Sequence, residues 1–240
     1  MTNAILPTQA EKAVVVEAMF DRIARRYDLL NDLMTAGGHR VWKAATLRAL
    51  WDRRGGPILD VATGTGDLAL AFARRAPYAA VVGLDFSGAM LARARQRQSG
   101  DNPSLLFLRG DALNLPFASQ SFAGIMSSFA LRNVADLSQL FRELYRVLAR
   151  SGRVALLDLV PLPNPPPWTR LAQAHLRYVV PRLGALLATD APAYTYLPAS
   201  VEMLPPLPRI EAMLCETGFR AVKHRLFGLG TVGLITATRP

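Results

Sequence analysis

The sequence holds a single cysteine, Cys215, which excludes an internal disulfide and fits a reducing compartment. No apolar run approaches the length that a membrane-spanning helix needs. No basic stretch followed by an apolar core opens the chain, and "AVVVEAMF" is interrupted by Glu17, so no signal peptide is expected and the chain reads as cytoplasmic. Internal repeats, low-complexity segments and long basic tracts are also missing. The three histidines, His39, His175 and His224, show no ligand spacing, so no metal is expected. No Ser-His-Asp or Cys-His arrangement points to covalent catalysis.

What is present suits one α/β domain spanning residues 1–240, 51% hydrophobic and 19% charged, with enough chain to bury a full core. The net charge of +10 would attract nucleic acid or an anionic membrane face. Its arginines, however, are scattered along helices, as in "ARARQRQ" (92–98) and "FRELYRVLARSGR" (141–153). That pattern reads as a basic surface with no dedicated nucleic-acid site.

Residues 11–50 have helical spacing, with Phe20, Ile23, Tyr27 and Leu30 on one side and "GGHRVWK" as a break and restart. This predicts an N-terminal helical cap over residues 1–54. Strands and helices then alternate: "PILDVA", "GDLALAFARRA", "AAVVGLD", "GAMLARARQRQ", "SLLFLRG", "FAGIMSS", "LSQLFRELYRVLA" and "GRVALLDLV". Such alternation implies a parallel sheet with helices on both faces. "PLPNPPPW" forces a rigid exit from the fifth strand and opens a helical insertion over residues 161–206. A helix, "PRIEAMLCETG", and a hairpin of "FRAVKHRLF" and "TVGLITATR" about "GLG" close the chain. An alternating core ending in a hairpin matches, by fold analogy, the Rossmann-like seven-stranded sheet of class I methyltransferases, whose last strand is antiparallel.

The chemistry begins at "ILDVATGTGDLALAFA" (58–73), where an apolar strand ends in an acid and a glycine turn leads into a helix. Gly64 and Gly66 permit a tight turn and close approach of a ligand, and the following helix offers free N–H groups. The turn also satisfies the dinucleotide fingerprint, so it alone does not separate NAD from S-adenosyl-L-methionine (SAM). Later residues do. Asp85 ends the second strand, where an acid accepts ribose hydroxyls. Asp111 in "RGDALNLPF" can accept from the adenine amine, with Leu113 and Leu115 supplying apolar surface, and Ser128 ends the fourth strand where a methionine moiety would lie. Asp60, Asp85 and Asp111 place acids in the pocket without a basic residue to neutralise a pyrophosphate, which suits a phosphate-free sulfonium. Each acid also has a local use: Asp60 or Asp85 as a helix cap, Asp111 as the opening of a turn.

Four longer stretches carry a more specific resemblance: "MFDRIARRYDLLNDLMTAGGHRVWK" (19–43), "ALRNVADL" (130–137), "YRVLARSGRVALLDL" (145–159) and "PRLGALLATDAPAYTYLPASVEMLP" (181–205). With them the chain resembles the ubiquinone/menaquinone biosynthesis C-methyltransferases, the demethylmenaquinone methyltransferase family, over nearly its whole length. The resemblance implies a class I SAM-dependent methyltransferase fold and methyl transfer from SAM to a ring carbon of a polyprenylated quinol. It places SAM contacts on Thr65, Asp85, Asp111, Ala112 and Ser128. The chain departs from the family's pattern at Ala123, where an acid is usual, at Asp158-Leu159, where Glu-Phe is usual, and in its last strand, "GTVGLITATRP".

A quinol carbon becomes nucleophilic when a neighbouring hydroxyl loses its proton, which needs a hydrogen-bond acceptor or a cation that favours the phenolate. Arg132 and Asn133 follow the fourth strand and are candidates. Tyr27 and His39 lie in the segment that would close over SAM, His39 with a pKa suited to proton work. Leu171, Tyr178, Val179, Leu183 and Leu187 of the insertion are candidates to line a groove for the isoprenoid tail, and the basic surface to rest on anionic lipid at the inner membrane face. Competing readings are an RNA or protein methyltransferase, a non-catalytic SAM-binding protein and a dehydrogenase. The first lacks an aromatic-basic patch, the second requires damaged cofactor motifs, and the third lacks a substrate domain. Oligomeric state, a homodimer included, is left open.

Overall fold

The computed structural model describes residues 9–24, 27–51, 55–98, 102–161 and 199–240, with positions 167, 169 and 174. Three helices come first: α1 (Gln9–Ile23), α2 (Tyr27–Thr35) and α3 (Gly38–Leu50). Then follow β1 (Ile58–Val61), α4 (Asp67–Arg75), β2 (Val81–Asp85), α5 (Gly88–Arg97), β3 (Leu105–Arg109), β4 (Phe122–Ser128), α6 (Leu137–Val147) and β5 (Leu148–Leu159). After the insertion come α7 (Leu207–Thr217), β6 (Arg220–Phe227) and β7 (Val232–Thr238). The seven strands form one sheet in the order β3-β2-β1-β4-β5-β7-β6. β1 to β5 pair in parallel, and β7 runs antiparallel to both its neighbours. This is the class I methyltransferase sheet expected from the alternation.

The period-two strand pattern sorts side chains between two helical layers. Leu59, Val61 and Ile125 meet Leu140, Phe141 and Leu144 of α6 and Ile210 and Leu214 of α7. Ile58, Val81 and Met126 face the other way, onto Leu68 and Phe72 of α4, Leu91 of α5 and Leu47 of α3. Farther along that second face, Ala155 and Leu157 of β5 pack with Val232 and Leu234 of β7 and with Trp42 and Ala45 of α3. With burial worth about 25 cal/mol per Å² of apolar surface, these layers are the main stabilising element. Caps fix the helix starts: Ser87 Oγ accepts from the Met90 N–H at 3.1 Å, and Asp136 Oδ1 from the Gln139 N–H at 2.9 Å, each worth about 1 kcal/mol.

One boundary differs from expectation. The helix read through Ala149 stops at Val147, and β5 starts at Leu148, before the expected Gly152. Leu148 is already extended and pairs with Phe122 at the entry to β4, so tertiary pairing overrides the helical spacing of "YRVLA". The "GLG" turn between β6 and β7 lies where expected, at Gly228–Gly230.

Candidate functional site

In an open α/β sheet, ligands bind beyond the carboxyl ends of the strands where the strand order reverses. Here that point lies between β1 and β4, and a cavity of about 290 Å³ sits there. Strand-end residues form its floor: Ala62 and Gly64 after β1, Asp85 and Phe86 at the end of β2, Asp111 and Ala112 after β3, Ser128 and Phe129 at the end of β4. Asn133 lines it from the turn after β4, and Val16, Glu17, Phe20 and Tyr27 of α1 and α2 cover it. Phe20 and Tyr27 meet edge to face, 6.0 Å between centroids.

Backbone geometry shapes the floor. Gly66 has φ +83°, and a Cβ there would fall 3.0 Å from the Phe107 ring and 3.1 Å from Ala94, so only glycine fits the turn into α4. Phe129 takes φ +61°, a conformation costing a bulky residue about 1–3 kcal/mol. Two cations lie over its ring, Lys43 at 5.8 Å and Arg132 at 5.7 Å from the centroid.

The acids divide into two sets. Asp85 is buried, accepting from the Gly64 N–H at 2.7 Å and the Ser87 N–H at 2.9 Å. Burial raises its pKa to about 6 against the lowering effect of those bonds. Its carboxylate thus fixes the glycine turn while facing the cavity. Asp111 is exposed and accepts from the Leu113 N–H at 2.8 Å. Asp60 does not line the cavity. Its Oδ2 accepts from Thr63 Oγ1 at 2.6 Å and the Ala69 N–H at 3.1 Å, and burial raises its pKa to about 7. That is the helix-capping use weighed from sequence. Glu17 takes its place as the third cavity acid, paired with Arg109 at 2.8 Å. No lysine or arginine is among the described residues lining the cavity.

Thr65 and Gly66 lie beneath the lining. Thr65 Oγ1 donates to Asp28 at 2.6 Å and accepts from Arg97 at 2.9 Å. Arg97 also reaches Asp67 at 2.6 Å, and Asp67 pairs with Lys43 at 2.6 Å. Burial would raise the Asp67 carboxyl, but these two cations outweigh it and hold its pKa down to about 2. The network ties α2, α3, α4 and α5 around the turn. A further tether, Ser87 Oγ donating to Asp21 at 2.5 Å, joins α1 to the start of α5.

The candidate catalytic residues are divided in the same way. Asn133 and Tyr27 face the cavity; Arg132 and His39 are absent from its lining. Arg132 turns back to a buried ion pair with Asp158, whose carboxylate also accepts from the Arg132 N–H at 3.2 Å. Burial raises the pKa of Asp158 against the pull of Arg132. His39 contacts Thr35 Oγ1 at 2.9 Å, and burial, then Lys43, lower its pKa against the opposing pull of Asp32. The expected tail-groove residues and His175 lie outside the described residues. Glu211 lies 2.8 Å from the His224 ring, and among the described residues no acid, histidine and cysteine cluster could hold a metal. No described helix is long and apolar enough to cross a membrane.

Comparison with known proteins narrows the chemistry. The sequence profile of the ubiE/COQ5 methyltransferase family matches residues 8–239. The chain is 40% identical over 228 residues to a demethylmenaquinone methyltransferase of Deinococcus radiodurans, covering 93% of this chain and 92% of that one. It is 39% identical over 231 residues to the ubiquinone/menaquinone biosynthesis C-methyltransferase UbiE of Cereibacter sphaeroides, covering 94% and 91%. Among solved structures, phosphoethanolamine N-methyltransferase 2 of Haemonchus contortus with bound S-adenosyl-L-methionine superposes with a TM-score of 0.60 at 19% identity, covering 85% of this chain and 53% of that one. An S-adenosylmethionine-dependent methyltransferase from Mesorhizobium loti gives 0.58 at 23%, covering 81% and 96%. At these identities the two structures speak for the fold alone.

Proposed function

The chain belongs to the ubiE/COQ5 methyltransferase family and is a SAM-dependent methyltransferase, and from that premise we propose that it methylates a ring carbon of a polyprenylated quinol in menaquinone or ubiquinone biosynthesis. One observation supports this reading most strongly: a cavity at the strand ends whose charged residues, among those described, are acids, Asp85 and Asp111 in the floor and Glu17 in a cover shared with Val16, Phe20 and Tyr27. The donor set fits SAM, which has no phosphate and carries a cation. Asp85 would accept the ribose hydroxyls, Asp111 and Ala112 would hold the adenine edge, and Ser128 the methionine end. Asp60, Thr65 and Gly66 would act indirectly, by fixing the turn that Gly64 presents. When bound, SAM supplies an electrophilic methyl group on sulfur.

The protein's part is then to align, to exclude water and to manage one proton. Orientation alone is worth about 7–11 kcal/mol of barrier in favourable systems. Asn133 and Tyr27 are the polar cavity groups that would bind the acceptor's oxygen, Asn133 through an amide now donating to Phe129 O at 3.2 Å. Arg132 is a positioning residue in this reading. Anchored to Asp158, it fixes the Leu131–Asn133 turn and supports Phe129 from behind. His39, hydrogen-bonded to Thr35 within the cap, positions the start of α3. The helices over residues 1–54 would form the cap over the cofactor, and residues 161–206 the substrate side. A basic protein acting on a tailed quinol would work against the anionic face of the inner membrane.

Methyl-labelled SAM, incubated with the protein and a reduced demethylated quinol or bulk RNA, tests the reading. Label on a quinol ring carbon is expected; label in RNA, or on a quinol oxygen, would contradict it.

A further inference from the structure

The outer surface of the rim around the cavity differs from its inner surface. Glu17, Asp21 and Asp28 of the covering helices all turn inward, to Arg109, Ser87 and Thr65 respectively. Facing solvent on the same helices are Leu29 and Leu33, one turn apart on α2, and Val41 in the first turn of α3, each more than two-fifths exposed. The β6–β7 turn belongs to this rim. Val232 at the start of β7 pairs with Leu159, at the carboxyl end of β5, and Trp42 packs against Gly228 of the turn. At its tip Leu229 is 54% exposed in a left-handed conformation, with Leu226 exposed just before it. Lys223 and Arg225 of β6 and Arg40 of α3 are exposed on the same elements. Asp32, the one acid on that outer face of α2, is matched by Arg40 at 2.6 Å.

Apolar side chains standing out of a cationic rim are the chemistry of a surface that enters a lipid headgroup layer. We propose that Leu29, Leu33, Val41, Leu226 and Leu229 dock this rim onto an anionic bilayer, with the cavity mouth against the lipid. The proposal rests on the quinol reading for its purpose, since a tailed acceptor resides in the bilayer, but the surface is argued from exposure and charge alone. Glu17, Asp21 and Asp28 are turned inward and Asp32 is matched by Arg40, while Lys223 and Arg225 of β6 stay exposed.

Vesicle sedimentation with phosphatidylglycerol-rich and pure phosphatidylcholine vesicles tests it, using the wild-type chain, a Val41→Gln/Leu229→Gln double variant and Tyr78→Gln in the turn before β2, at the amino ends of the parallel strands. The wild type and Tyr78→Gln should bind the anionic vesicles alike, and the double variant about tenfold more weakly. A polarity-sensitive dye on Leu229→Cys in a Cys215→Ser background should shift to the blue on anionic vesicles, and the same dye on Tyr78→Cys should not. Equal binding by wild type and double variant, no preference for anionic lipid, or loss of binding through Tyr78→Gln would overturn the proposal. So would a wild-type dimer that the double variant dissociates without any vesicle binding. Methylation of a short-tailed, water-soluble quinol should be the same in wild type and double variant. If neither methylates it, the quinol reading fails while the vesicle result still stands.

Discussion

The floor and the cover of the cavity are held by different physics. The floor is fixed by buried groups with backbone partners: Asp85 on the Gly64 and Ser87 N–H groups, Asp60 on the Ala69 N–H, Asp158 on Arg132. The cover is tethered by side-chain contacts, two of them ion pairs open to water: Glu17 to Arg109, 30% and 66% exposed, and Asp28 to Arg97, 33% each. Breaking a buried pair by removing one partner costs about 3–5 kcal/mol, whereas an exposed pair is worth about 0–1 kcal/mol. A site built this way keeps its binding geometry ready and lets the cover part from it at small cost. That suits a cofactor that must be exchanged after each turnover.

The sharpest test of the contrast is at Arg132. Arg132→Ala strands Asp158 in the floor and should lower unfolding stability by about 3 kcal/mol in urea titration. A loss below 1 kcal/mol would show that the pair is not a floor element. Turnover should fall as well, with SAM affinity changed less.

Next in size is Asp85→Ala. It removes an acceptor for the ribose and the tether of Gly64, so S-adenosylhomocysteine binding by calorimetry should weaken by about 2–3 kcal/mol. Turnover at saturating cofactor should change less.

The same residue gives a pH signature. Its folded pKa, about 6, lies above the ordinary value of 3.8, so ionising it in the fold is disfavoured. Its contribution to stability is therefore fully present below pH 3.8 and declines as pH rises through 6. Ligand affinity runs the opposite way. The ionised carboxylate is the better acceptor, and affinity should drop as pH falls below about 6, a step that Asp85→Asn should abolish. Asp67, with a folded pKa of about 2, has the reverse linkage: its stabilising effect is present above 3.8 and is lost as pH falls through 2.

The smallest effect belongs to the cover. Glu17→Gln should cost about 0.5 kcal/mol of stability or less yet speed cofactor exchange in stopped flow, and added salt should mimic it. An exchange rate insensitive to both would place the cover among the rigid parts.

Sequence made the floor legible and the cover only in outline. Strand ends announce themselves through an apolar run that stops at an acid, and "VVGLD" and "VATGTGD" locate Asp85 and Gly64 without tertiary information. Asp60 reads as a strand-end acid like Asp85, but both faces of β1 are buried, and its partner, the Ala69 N–H, is found only when α4 folds back onto the turn. Arg132 and Asn133 are adjacent, so sequence treats them as a pair, but one tight turn sends the amide to the cavity and the guanidinium behind it. Glu17 was missed as a cavity residue because its contact with Arg109 spans 92 positions, and a helical acid with no local partner reads as surface.

The central claim is that an acid-lined cavity, with no lysine or arginine among its described lining residues, selects a positively charged, phosphate-free cofactor. Calorimetry of the wild-type protein with SAM and, separately, with NADH tests it most directly. Saturable binding of SAM and none of NADH is the expected result. Binding of NADH in preference to SAM would contradict the claim.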